Sequence, residues 1–227
     1  MNSRIVVFFI LALSTTQHVS AQNNDAQLWE NITIEEKITQ RFAARLVQES
    51  RVTENFNSFT FNYFDVGVNY KINKHIHSTL AYVWVEKRQL SDLWSTRHQV
   101  YVDLTFRKKL QQFLVTDRQM FLWQVKDYYS SRDGHIADNY LRNKITIRYT
   151  NYFKVSPYIA EEIYYRIYGP YDNLQSHFKR LRTFAGVFFR NDLINEFEAY
   201  YLLEYNFKSA NPSKKWVIGI GYTHSFQ

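Results

Sequence analysis

The chain has 227 residues, a formal net charge of +7 and no cysteine. The lack of cysteine excludes disulfide frameworks, thiolate metal sites and lipid attachment at a processed cysteine. Aromatic residues reach 18% while charged residues hold at 22%, and the mean hydropathy is −0.43. This combination excludes a helical membrane protein, but it is typical of strands that have one apolar and one polar face.

The first residues have the pattern of an export signal. Arg4 precedes an apolar run from Ile5 to Leu13, and Val19-Ser20-Ala21 has the small-residue spacing that signal peptidase recognises. A run of about ten apolar residues is too short for a membrane-spanning helix, which needs roughly twenty. We therefore expect a signal peptide over residues 1–21 and a single exported domain over residues 22–227.

Segments with a period of two fill the rest of the chain. In the clearest one, Asn195 to Phe207, Tyr201 and Leu203 share one face while Glu198 and Glu204 share the other. Eleven such segments can be counted, over Leu28 to Lys37, Phe42 to Val52, Phe59 to Ile72, His75 to Lys87, Gln99 to Lys108, Phe113 to Tyr128, Tyr140 to Tyr152, Tyr158 to Tyr168, Leu181 to Arg190, Asn195 to Phe207 and Trp216 to Phe226. They predict an all-β fold with a single antiparallel β-barrel.

The connections alternate between tight turns, such as Asn73-Lys74, and longer polar loops, such as Ser130 to Asp138. Transmembrane barrels have short periplasmic turns and longer outer loops. Bacterial single-chain barrels also have an even number of strands, so that both termini are periplasmic. Because a count of eleven is odd, we expect about twelve strands, with ten as the fallback.

Alternation alone does not say which face points outward, because a soluble lipocalin-like barrel alternates as well. Two observations favour a membrane barrel. The segments are longer than the strands of soluble proteins, which average about five or six residues. The polar face also carries too many full charges to form a dry core. We therefore predict an apolar outer face in contact with outer-membrane lipid and a polar face that lines the lumen.

Charge predicts the register of one hairpin. If its turn centres on Leu193, Arg190 lies opposite Glu196 and Arg182 lies opposite Glu204. Cross-strand pairs of opposite charge are favourable, and a shift by one residue would point the glutamates into lipid. We therefore expect this register.

The charged residues of the polar face are the candidate functional site, and they form a basic stripe edged by acid. We expect the lumen-facing residues to be Arg142, Lys144, Arg148, Glu162, Arg166, Arg180, Arg182, Glu198 and Glu204. Two interpretations remain open. The side chains interlock as a polar core, or they line a small pore that favours anions, as rings of Arg and Lys do. A barrel of about twelve strands lies between filled barrels of eight and open ones of sixteen.

The last segment has a further pattern, because every second residue is bulky and apolar except His224. Its outer face is expected to act as the signal that the outer-membrane barrel assembly machinery recognises, through Trp216, Ile218, Ile220, Tyr222 and Phe226. The other expected partner is outer-membrane lipid. We expect no nucleic-acid partner despite an isoelectric point near 9.4, since the charges recur within strands. The oligomeric state is left open.

The histidines give weak evidence for chemistry. His75 and His77 share a strand face, but no third metal ligand is evident near them. His224 and Ser225 are adjacent, so they point to opposite faces of a strand and do not form a catalytic pair. We therefore expect no metal, no cofactor and no enzymatic activity, although a membrane enzyme acting on lipids remains the last alternative.

Several motifs resemble a family of outer-membrane barrels from Bacteroidota, the domain of unknown function 2490. They are Trp29-Glu30-Asn31, the run from Ile34 to Phe42, Glu49-Ser50-Arg51 and the run from Arg97 to Leu104. The resemblance covers nearly the whole exported chain and implies location and fold, with no catalytic residues. We expect a narrow passive channel for small, anionic solutes, or else a structural or adhesive barrel with a plugged lumen.

Overall fold

The computed structural model describes residues 24–88, 93–126, 138–150, 154–168, 177–190, 192, 194–207 and 213–226. All of its regular elements are β-strands. No helix with the length and hydropathy needed to cross a membrane occurs in this part of the chain. The expected signal peptide over residues 1–21 lies outside the described residues, so its prediction stands as made.

Eleven strands form one closed barrel in which each strand pairs with its neighbours in sequence. They are β1 Asn24–Lys37, β2 Phe42–Thr53, β3 Ser58–Lys71, β4 Ile76–Arg88, β5 Trp94–Leu110, β6 Phe113–Lys126, β7 Asp138–Tyr149, β8 Val155–Tyr168, β9 Phe178–Arg190, β10 Asn195–Asn206 and β11 Ser213–Phe226. The predicted all-β barrel is confirmed. The eleven segments counted in the sequence are the eleven strands, one fewer than the expected twelve.

The barrel closes through a parallel pair, because an odd number of antiparallel strands brings the first and last strands together in the same direction. Ala26 of β1 lies beside Trp216 of β11, and Glu36 lies beside Phe226. The other ten neighbouring pairs are antiparallel. The first strand therefore begins at the rim opposite to the one where the last strand ends.

The two rims differ in the lengths of their connections. The short-turn rim, where β11 ends, has the connections 38–41, 72–75, 111–112, 150–154 and 191–194. The long-loop rim, where β1 begins, has the connections 54–57, 89–93, 127–137, 169–177 and 207–212. The predicted alternation of tight turns and longer loops is thus found in the strand bounds.

The hairpin of β9 and β10 has the register predicted from charge. Arg190 lies opposite Glu196, and Arg182 lies opposite Glu204. At its turn, the Asp192 carboxylate accepts hydrogen bonds from the Asn195 side chain and from the backbone N–H groups of Asn195 and Ile194. These bonds lower the pKa of the Asp192 carboxyl group, because they favour its charged form.

The wall separates an apolar outer face from a mixed inner face. Large outward side chains are well exposed, among them Leu80, Ile159 and Ile218 at 61%, 57% and 52%. The alternate positions point inward and are more buried, as the period of two requires. Two apolar clusters of buried residues line the inside: Trp29, Tyr158, Ala160, Phe184, Leu202 and Val217, and then Ala81, Val83, Val85, Tyr101, Met120 and Leu122.

A row of alternating aromatic and glycine residues crosses the inner face of five neighbouring strands. It runs from Tyr158 through Gly186, Tyr200 and Gly219 to Trp29, each directly opposite the next. An ideal Cβ atom at Gly219 would lie 1.9 Å from Cζ of Tyr200. The Tyr200 ring therefore packs against the backbone of Gly219, in the space that any side chain at this position would occupy.

Candidate functional site

The inner wall is organised around buried acids, and Glu162 of β8 is the first of them. Glu162 is 1% exposed. Its Oε1 accepts hydrogen bonds from Nη2 of Arg142 at 2.8 Å and from Nη2 of Arg118 at 3.1 Å, and its Oε2 accepts one from Nη1 of Arg182 at 3.2 Å. The Tyr164 hydroxyl accepts a further hydrogen bond from Nη1 of Arg182 at 2.6 Å. One carboxylate thus holds guanidinium groups from three strands.

Glu204 of β10 is the centre of a second ionic cluster, adjacent to the first. Arg182 joins the two, since its Nε donates to Oε2 of Glu204 at 2.8 Å. Nη1 of Arg180 and Nζ of Lys215 lie 3.4 Å and 3.6 Å from Glu204 carboxylate oxygens. Glu204 and Arg182 are both buried. Charges buried together in this way stabilise the wall only as a complete set.

A third ionic cluster lies nearer the short-turn rim. Nη2 of Arg148 donates to Oε2 of Glu196 at 2.8 Å, and Arg190 reaches the same oxygen at 2.8 Å. The Arg148 guanidinium also lies 4.1 Å from the centre of the Phe188 ring, a favourable cation–π distance. The contact between Arg148 and Glu196 joins strands three positions apart in the barrel.

The remaining predicted site residues also point inward but make separate contacts. Arg166 donates to Oδ1 of Asp138 at 2.6 Å near the long-loop rim. The Lys144 ammonium lies 4.1 Å from the centre of the Phe184 ring. The Tyr158 hydroxyl donates to Glu198. Lys144 also lies directly opposite Glu162 in the register of β7 and β8. The structure thus brings together Arg142, Lys144, Glu162, Arg180, Arg182 and Glu204, and leaves Arg148, Arg166 and Glu198 at other points of the inner wall.

Sequence reasoning missed an ionic cluster on the opposite side of the barrel. Asp65 of β3 is fully buried. Its Oδ2 accepts hydrogen bonds from Arg45 at 2.6 Å and from Tyr101 at 2.8 Å. The sequence feature that could have revealed this cluster is a charged residue, Asp65, on the same face as Asn69 in an otherwise apolar segment. Polar residues on one face of such a segment identify the inward side of β3.

Many of the inward cations are partly accessible to solvent. Their side chains keep between 15% and 33% of their surface accessible although they point away from the outer face. The residues are Arg45, Arg51, Arg118, Arg142, Arg148, Arg180 and Lys215. Because accessible guanidinium groups interact with solutes as well as with buried acids, the inner wall has charge available to a lumen.

Inward charge is unevenly distributed around the barrel. Strands β6 to β9 carry most of the inward cations, and strands β10 and β1 to β3 carry most of the inward acids. The basic arc consists of Arg118, Arg142, Lys144, Arg148, Arg166, Arg180 and Arg182, and the acidic arc of Glu35, Glu49, Asp65, Glu196, Glu198 and Glu204. Such a separation creates an electric field across the lumen.

The terminal strand and the histidines lie where the alternation places them. Trp216, Ile218, Ile220 and Phe226 are exposed on the outer face, and Tyr222 is half-buried beside them. Nδ1 of His224 lies 2.8 Å from Oδ1 of Asn195. Within the described residues no group of three or more His, Asp or Glu side chains could hold a metal ion.

Comparison with known proteins gives one family and one similar structure. The family described as "Protein of unknown function (DUF2490)" matches residues 26–217. No curated protein matches the chain. The solved structure titled "NanC porin structure in rhombohedral crystal form" is 13% identical with a TM-score of 0.48, over 80% of this chain and 87% of that chain.

Proposed function

The chain belongs to the DUF2490 family, and from that premise we propose that it is an outer-membrane barrel that works as a narrow passive channel for small anionic solutes. The observation that carries the proposal is the partial accessibility of inward arginines on the basic arc, while the outer face is apolar. A wall of this kind offers anions a hydrated path with favourable electrostatics.

The outer face supports the membrane location. Bulky apolar side chains are exposed on strands all round the barrel, for example Ile32, Val66, Leu104, Ile147 and Tyr201. A soluble protein rarely exposes so large an apolar surface, whereas the hydrocarbon core of a membrane covers such a surface favourably. Export by the signal sequence delivers the chain to that compartment, as the resemblance to barrels of Bacteroidota implies. The short-turn rim is then periplasmic.

The size of the barrel supports a narrow passage. Eleven strands lie between the eight of barrels that side chains fill and the sixteen of open porins. Part of the inside is taken by the two apolar clusters and by the buried acids. The remaining space borders Arg118, Arg142 and Arg148, so a solute passing there meets positive charge.

Ion selectivity in planar bilayers tests the proposal. The native channel is expected to pass anions in preference to cations, and Arg148→Ser is expected to shift the reversal potential in a salt gradient toward zero. Arg148 is 15% exposed inside the wall, so its charge acts on ions in the lumen. The measurement is the reversal potential of single channels at low ionic strength, where screening is weakest.

Arg190→Ser is the matched control. Arg190 binds the same Glu196 oxygen at the same 2.8 Å distance as Arg148. Its side chain is 52% exposed at the short-turn rim, so solvent screens its charge. The reversal potential should shift less in this variant than in Arg148→Ser. Equal shifts in both variants, or cation preference in the native channel, would count against the basic arc as the selective element.

A plugged structural barrel is the second candidate, and the buried ionic clusters favour it. Glu162 and Glu204 hold five cations between them, and in a plugged barrel these side chains would close the lumen. In that case the native protein would insert into bilayers without conductance, and its outer loops would carry the function. The bilayer measurement therefore separates the two candidates.

Assembly of the barrel is proposed to depend on the last strand. The row from Trp216 to Phe226 offers an apolar outer face to the outer-membrane barrel assembly machinery. In the closed barrel the same strand pairs with β1 in parallel. The pairing of these two strands is the step that completes the barrel.

A further inference from the structure

Polar side chains form a compact patch on the outer face of β6 to β9. In this outer polar patch, Asp117 accepts hydrogen bonds from Nδ2 of Asn143 at 2.6 Å and from Nε2 of Gln119 at 3.0 Å. Glu161 accepts one from the Thr183 hydroxyl at 2.9 Å. All five residues occupy positions whose neighbours two residues away point outward.

Strand register makes the patch continuous. Asp117, Ile145, Glu161 and Thr183 lie directly opposite one another in a row across the four strands. Gln119 and Asn143 form a second pair in the adjacent row. Ile145 is at the centre of the patch, between the two carboxylates, and is 45% exposed.

Apolar residues surround the patch along each strand. Ile159 and Ile163 flank Glu161 on β8, and Leu141 and Ile145 flank Asn143 on β7, all of them exposed. Glu161 lies in the middle of β8 and not near either rim. Elsewhere on the outer wall, β10 and β11 present rings and aliphatic groups at the same face, such as Tyr201 and Ile218.

A carboxylate at this position is unfavourable against lipid. Transmembrane strands alternate apolar and polar residues, and a charge on the lipid face destabilises the barrel most near the middle of the bilayer. Within the described part of the chain Glu161 has a single hydrogen bond, from Thr183. An ionised carboxylate has about four acceptor positions, so most of its hydrogen-bonding capacity is left for another molecule.

We propose that the outer polar patch is the interface through which two copies of this chain associate side by side in the membrane. The inference rests on the proposed outer-membrane location. The occupant is a second copy because the patch is complementary to itself. It holds carboxylate acceptors, Asp117 and Glu161, next to amide donors, Gln119 and Asn143, each of which has a second N–H to offer.

A two-fold axis through Ile145 pairs these groups across the contact. In this arrangement the second N–H groups of Gln119 and Asn143 are to bind carboxylate oxygens of the other copy, while the surrounding isoleucines and Leu141 pack against their counterparts. A two-fold interface uses the same patch on both subunits, and polar contacts between transmembrane helices are favourable where lipid is the alternative. The charged patch is removed from hydrocarbon in both copies at once.

Cysteine cross-linking tests the interface cleanly, since the chain has no cysteine of its own. The full chain with Ile145→Cys is expressed in a Gram-negative host, and isolated outer membranes are oxidised with copper phenanthroline. We expect a disulfide-linked species of twice the monomer mass, because residues on a two-fold axis meet their own copies. Adding Asn143→Leu and Glu161→Leu to the same chain should abolish most of this product.

Val66→Cys is the control, at an exposed outer position of β3 away from the patch. It should stay monomeric under the same oxidation. A monomer at Ile145, equal cross-linking at both positions, or a product with a protein of different mass would overturn self-association. If the chain instead failed to reach the membrane fraction, the proposed function would fail first. If the chain inserted into the membrane and conducted ions but formed no dimer, only the proposed self-association would be refuted.

Discussion

Replacing Glu162 by glutamine is expected to lower the free energy of unfolding by about 3–5 kcal/mol, the usual penalty for leaving a buried charge uncompensated. The carboxylate is 1% exposed. It is in contact with the guanidinium groups of Arg118, Arg142 and Arg182. The neutral side chain keeps the shape but leaves these cations facing one another. The midpoint of urea unfolding in lipid vesicles, followed by tryptophan fluorescence, measures the loss.

Glu54→Gln is the matched control for this substitution. Glu54 is also a glutamate, but it is exposed in the connection 54–57 at the long-loop rim. Substitutions away from buried networks usually change stability by less than about 0.5 kcal/mol. If Glu162→Gln unfolded at the same urea concentration as Glu54→Gln, the buried ionic cluster would have no structural importance.

The second large effect is expected from Gly219→Ala, which should destabilise the barrel by about 1–3 kcal/mol, as overpacking of a filled site does. The added Cβ would lie 1.9 Å from Cζ of Tyr200 and 2.3 Å from its two Cε atoms. On its other side, Tyr200 lies directly opposite Gly186 on β9. The ring therefore has to leave its place on the strand for the methyl group to fit.

A double-mutant cycle with Tyr200→Ala identifies the cause. In that background the ring is gone, so Gly219→Ala should cost much less, with a coupling energy of about 0.5–3 kcal/mol. Gly221→Ala is the control on the same strand, since its Cβ would lie 3.3 Å from the nearest atoms of Glu198. Additive effects of the two substitutions would show that the ring is not what excludes a side chain at Gly219.

Local patterns in the sequence were sufficient for the strands and for one hairpin. Alternation defined all eleven segments. The pairs Arg190 with Glu196 and Arg182 with Glu204 could be predicted because the position of a short turn fixes which residues face each other across the hairpin. The strands extend beyond the alternating segments. The segment predicted from Gln99 begins at Trp94, since charged and polar residues near a rim also occupy strand positions.

Contacts between distant strands were beyond sequence reasoning. The parallel closure of β1 on β11 depends on the total number of strands, which no local pattern contains. Arg118 reaches Glu162 from two strands away, so neither residue identifies the other in the sequence. Alternation places Tyr200 on the same face as Glu198 and Glu204, but its contact with Gly219 follows only from the register of β10 and β11.

The most direct test is whether the inside of the barrel is wet along its basic arc. Thr146→Cys places a thiol on the inner face of β7, between Lys144 and Arg148, and Ile147→Cys places one on the outer face at the next residue. We expect a membrane-impermeant, negatively charged thiol reagent to modify Thr146→Cys in intact outer membranes and to reduce its conductance, while Ile147→Cys stays unmodified. Reaction at Ile147→Cys with none at Thr146→Cys would contradict a hydrated basic arc inside the barrel.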